Sequence, residues 1–256
     1  MVSFLLKNLD GLWWLLILLG PFLILQRRLH VEIQSTLLLL THRSDISLAV
    51  FSLLFFPGVL LHELSHFLLA RLVGVRTGGI SLIPRPLEEG RLQLGYVETA
   101  KTDFVRDAMI GVAPLLTGGF FIAWVGIAHL GLLIIWDSLN SAGGQALGLA
   151  VRELLARSDF WLWFYLIVAV SSTMMPSRAD RRAWLPVALI VAVTLSLGIL
   201  AGAGPWLLEN ITAPLNNALR TVAIVFAISL GVHLVLVMPC YFLRRMLERW
   251  TGYEVA

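Results

Sequence analysis

The chain has 256 residues and a formal net charge of +3, with 58% hydrophobic and 14% charged residues. Soluble domains carry about a quarter charged residues, so this composition excludes an ordinary soluble fold and, with it, a nucleic-acid partner recruited by a basic surface. It describes an all-α polytopic membrane protein of about six transmembrane helices, with a small β-hairpin or sheet between the second and third spans. At about 20 residues per crossing, six spans leave no room for a separate soluble domain. The single cysteine, Cys240, excludes an internal disulfide.

The first span is predicted over 11–26, with Trp13 and Trp14 as interface anchors. The apolar N-terminal stretch is not followed by a small-residue cleavage site, so it reads as a retained span. Residues 27–45 mix Arg27, Arg28, His30, Glu32, His42, Arg43 and Asp45 with an apolar run at 37–40 too short to cross. They are expected to lie along the membrane surface. The second span covers 47–73, and Pro57-Gly58 is expected to kink it.

Within that span stands His62-Glu63-Leu64-Ser65-His66. Residues i and i+4 share a helix face, so His62 and His66 can present ring nitrogens to one metal ion. Glu63 lies roughly 100° further round, within reach of a water beside that ion. Two imidazoles and a carboxylate are costly at membrane depth, and such groups are functional by default. The plainer alternative is three polar groups pairing with one another in a helix bundle.

Residues 78–83 and 91–98 alternate apolar with polar or small side chains, and Glu88-Glu89-Gly90 supplies a turn, which predicts a β-hairpin. Its edge, with Leu94, Gly95 and Tyr96, could hold an unwound substrate segment by β-addition, or merely plug the bundle. The third span covers 107–136, and its glycines are read as packing surfaces. A polar loop over 137–158 leads to span four at 159–176, span five at 184–203 and span six at 216–243. His129 and His233 are read as packed, hydrogen-bonded histidines. The chain then divides into 1–45, a core at 46–183, and 184–256.

A catalytic zinc usually takes three protein ligands and a water. Asp180 follows Pro176 at the end of span four, where the proline would turn the chain back toward the bundle. From position alone it could equally pair with Arg178, Arg181 or Arg182.

A membrane-embedded HExxH, a β-rich loop and a span ending in a proline-containing turn with Asp resemble the site-2 protease family of intramembrane zinc metalloproteases. The match rests on His62-Glu63-x-x-His66 and Pro176-x-x-x-Asp180. Gly111-Val112-Ala113-Pro114 is similar to the family's Gly-Pro element. The resemblance covers about residues 46–183. The family's Asn is absent, with Ser171, Ser172 and Thr173 in that region, and Arg181 stands where Gly often follows the Asp. The resemblance implies one Zn2+ per chain on His62, His66 and Asp180, with Glu63 as general base. It implies a transmembrane protein substrate cut within the bilayer, with Ser172 and Pro176 joining Leu94, Gly95 and Tyr96 as contacts.

Threading six spans puts 13 of the 19 Lys and Arg on the N-terminal side. By the positive-inside rule, both termini are then cytoplasmic and the protein sits in the cell (inner) membrane. The rivals are an HExxH membrane protease with Glu153 or Glu209 as third ligand, a non-catalytic scaffold keeping a metal site, and a transporter. No inverted repeat supports the last.

Overall fold

A computed structural model describes residues 9–86, 92–140 and 144–253. Among the described residues, five helices are long and apolar enough to cross a membrane, and a sixth crossing requires counting one bent pair as a single span. The chain is therefore an α-helical membrane protein with a small β-structure between its second and third long helices.

Helix α1 (Asp10–Thr41) runs unbroken through the segment expected to leave the bundle at residue 27. The reason lies at the other end of the chain. Glu32 is fully buried, and Arg28, one turn earlier, and Arg244 neutralise it. Arg244 also pairs with Glu248, one turn on. The charges that read as a surface segment are thus turned inward onto helix α9 (Thr212–Thr251).

Helices α1 and α9 lie parallel along their length. Asp10 accepts from Asn216 and Arg220 at one end, Phe22 packs on Phe226 in the middle, and the His42 ring faces Tyr253 at the other. Residues 10 and 251 therefore sit at opposite ends of the pair.

Helix α2 (Ser44–Leu72) returns beside α1 and carries HELSH. Strand β1 (Thr77–Ser81) pairs antiparallel with β4 (Tyr96–Thr99), and β2 (Arg85–Pro86) with β3 (Leu92–Gln93), as two ladders of one hairpin. The expected turn at 88–90 lies outside the described residues. Helix α3 (Phe104–Ala128) opens on Asp103, whose carboxylate accepts from the amides of Val105 and Arg106. It stops short of the predicted span end, because Gly131 takes a positive φ of 55° and starts α4 (Leu132–Asn140). The predicted polar loop instead holds the end of α4 and the whole of α5 (Gly144–Leu155).

Helix α6 (Phe160–Thr173) meets the preceding helical segment Leu147–Leu155 at 92°. Its 14 residues extend about 21 Å, short of the roughly 30 Å hydrocarbon core. It is a half-length helix whose C-terminus ends inside the bundle, on α2. Helix α7 (Trp184–Gly198) continues past a break at Gly202, where φ is 91°, into α8 (Gly204–Asn210), and none of its residues is buried. The core is built from Phe51, Phe55, Ile167 and Val125, with Phe22, Ile122 and Met174 beside it.

Replacing Arg244 with Leu leaves buried Glu32 with Arg28 and Glu248 with Arg245 as their remaining ion-pair partners. The expected loss is about 1–3 kcal/mol, read as a lower thermal midpoint in detergent. A midpoint equal to wild type would mean that the cluster does not hold α1 to α9.

Candidate metal centre

Neighbouring helices orient the two histidines, and proline makes that possible. Pro114 lies inside α3 and has no amide hydrogen, so the carbonyl of Ile110, four residues earlier, loses its helical donor. His66 Nδ1 donates to that carbonyl at 2.8 Å. His62 Nδ1 donates in the same way to the carbonyl of Thr173, in the last turn of α6, at 2.7 Å. A carbonyl only accepts, so both Nδ1 atoms carry the proton, and in the neutral rings both Nε2 lone pairs are left free.

Those lone pairs converge. The two Nε2 atoms are 3.2 Å apart. Asp180 brings its Oδ1 to 3.3 Å from His66 Nε2 and its Oδ2 to 3.9 Å from His62 Nε2. One potential ligand atom from each residue lies within 4.8 Å of the others. Three electron pairs facing one another at this range repel unless a cation stands among them. Two imidazole nitrogens and a carboxylate oxygen form a donor set suited to zinc, and the Nδ1 anchors are the outer contacts that metal-binding histidines require.

Asp180 reaches this position because the chain turns after α6. Its Oδ2 accepts from the amide of Ser177 at 2.6 Å. Burial works against its charge, and the Ser177 hydrogen bonds oppose that and favour the ionised form. The carboxylate is ionised at neutral pH, as a ligand must be. The neighbouring arginines are engaged elsewhere: Arg182 forms a two-pronged pair with Asp107, and Arg181 donates to the carbonyl of Ser177. Gly111 lets the turn approach, since a Cβ there would strike the carbonyl oxygen of Asp180.

Glu63 is buried and lines the same cavity, of about 710 Å³, as His62, His66 and Asp180. Leu94, Gly95 and Tyr96 form part of its wall. The Gly95 backbone lies so close that a Cβ would come within 2.9 Å of Glu63 Oε1. Ser172 also lines the cavity, with its hydroxyl bonded to His233, whereas Pro176 is buried and stands outside the described lining. Glu153 and Glu209 are exposed on α5 and α8, away from the cluster. The carbonyls of Ile110 and Thr173 escaped a reading of side chains, although Pro114 inside an apolar span signals that a carbonyl has been released.

Gly111→Ala should push the Asp180 turn outward and weaken zinc binding about 10- to 100-fold, measured by chelator competition. Wild-type affinity would show that the turn can shift without loss of the ligand set.

The chain matches no protein-family model, no curated protein and no solved structure.

Proposed function

We propose that the chain is an intramembrane zinc metalloendopeptidase, of the kind the site-2 proteases represent, that hydrolyses a peptide bond of a membrane-embedded protein. The observation that carries this reading is the convergence of His62 Nε2, His66 Nε2 and the Asp180 carboxylate beside Glu63, at a helix depth where such groups are costly.

His62, His66 and Asp180 would hold one Zn2+, which when bound supplies an acidified water and a polarised carbonyl. Glu63 takes the proton from water as the water oxygen bonds to the scissile carbonyl carbon. It returns that proton to the nitrogen as the C–N bond breaks, leaving a carboxylate and an amine. A helical substrate hides its backbone in internal hydrogen bonds, so it must unwind first. Residues 94–97 line the cavity beside Glu63, where an unwound segment can add as a strand. Gly95 lets that wall sit against the base.

The hairpin end of the bundle carries Arg71, Arg76, Lys101, Arg106, Arg178, Arg181 and Arg182. By the positive-inside rule we assign that end to the cytoplasm and the protein to the cell membrane.

Wild type, Glu63→Gln and Asp180→Ala, purified in detergent, separate the readings. The expected result is about one zinc in wild type and in Glu63→Gln, with cleavage of a single-span substrate about 10²–10⁴-fold slower in Glu63→Gln and zinc lost from Asp180→Ala. Equal cleavage by Glu63→Gln would remove the enzyme assignment and favour a scaffold. In the same assay Gly95→Ala, which crowds Glu63, should keep its zinc and lose turnover. Unchanged turnover would remove the wall from the mechanism.

A further inference from the structure

The last turn of α6 carries the carbonyl that orients His62, and that turn has lost its ordinary helical donors. Residue 176 is proline, so the carbonyl of Ser172 has no amide four residues on. The amide of Ser177, the corresponding partner for Thr173, donates to Asp180 instead. A helix end buried without partners is unstable, and at membrane depth water is not at hand to serve.

Both carbonyls are taken by side chains from other helices. Thr173 accepts from His62. Ser172 accepts from Gln26 Nε2 of α1 at 2.6 Å. The hydroxyl of Ser172 is fixed as well, 3.0 Å from His233 Nε2 of α9. His233 Nδ1 donates to the carbonyl of Ser229 at 2.7 Å, so in the neutral ring Nε2 accepts and Ser172 donates. His233 is fully buried and meets Phe22 of α1 edge-on.

We propose that Gln26 and His233 are positioning residues for the metal centre: from α1 and α9 they clamp Ser172, and thereby hold the adjacent Thr173 carbonyl where it directs His62 Nε2 at the metal. The proposal rests on the metal reading above. It extends the machinery beyond residues 46–183 to the first and last long helices. A carbonyl free to drift would let the His62 ring turn, and the outer contacts of a ligating histidine set both its tautomer and its aim.

The test is Co2+ binding to the full chain in detergent, followed by the visible spectrum and by chelator competition, with circular dichroism to check folding. Gln26→Met keeps the length of the side chain and removes its donor. His233→Leu removes the acceptor, and His233→Gln restores one. Gln26→Met and His233→Leu should each weaken Co2+ affinity about tenfold and shift the visible bands, with His233→Gln returning toward wild type. Thr36→Val, buried on α1 with its hydroxyl bonded within its own helix, should behave as wild type. If Gln26→Met and His233→Leu both leave affinity and spectrum unchanged while wild type binds Co2+, the clamp is wrong and the metal centre stands. If wild type binds no Co2+, the metal reading falls and the clamp falls with it.

Discussion

The rest of this structure depends on one constraint: a backbone carbonyl inside a membrane bundle must have a donor, and proline withholds one. Pro114 and Pro176 each release a carbonyl within the apolar interior, at Ile110 and Ser172. The released groups become attachment points for side chains. His66 takes the first and Gln26 the second, while the diversion of the Ser177 amide to Asp180 leaves Thr173 for His62. The defects that would weaken an isolated helix are here the fixings of the His62, His66 and Asp180 cluster. The turn that exposes the Thr173 carbonyl also delivers Asp180, so two of its elements share one local cause.

The frame around the site is a parallel pair, α1 and α9, joined by Asp10 with Arg220 at one end and by Glu32, Arg244 and Glu248 toward the other. A buried carboxylate–guanidinium cluster is weak evidence of stability in itself, but it is demanding about register, since a slip along either helix strands a charge. That demand sets which faces of α1 and α9 meet, and so brings Gln26 and His233 to the same turn of α6. Helix α6 is short enough to end at that point, between α2 and the frame.

Much of the site could be read along the chain because its geometry is local. An i, i+4 pair of histidines faces one way on any helix, and a proline followed by an aspartate makes a turn whatever surrounds it. The alternation at 78–83 and 91–98 likewise foretells a hairpin. Other features depend on partners distant in sequence. Glu32 looked like a residue of a surface segment because Arg244, 212 positions away, is invisible from its neighbourhood. Ser172 neighbours the site in sequence and lines the cavity, yet its hydroxyl is held by His233, 61 positions away, which no local reading reveals. The parallel pairing of α1 with α9 is likewise hidden from the order of the spans, because it follows their faces.

The sequence by itself determined that this is a helical membrane protein, that two histidines and a glutamate share one turn inside it, and that an aspartate follows a helix-ending proline. Those follow from hydropathy, helical period and the missing amide of proline, which act within a few residues. Only the tertiary structure decided that Asp180 meets the histidines and not its neighbouring arginines. It alone decided which carbonyls aim the imidazoles, and that the first and last long helices take part. These depend on burial, because a polar group removed from water must find its partner in three dimensions, and the nearest one in space is seldom the nearest along the chain.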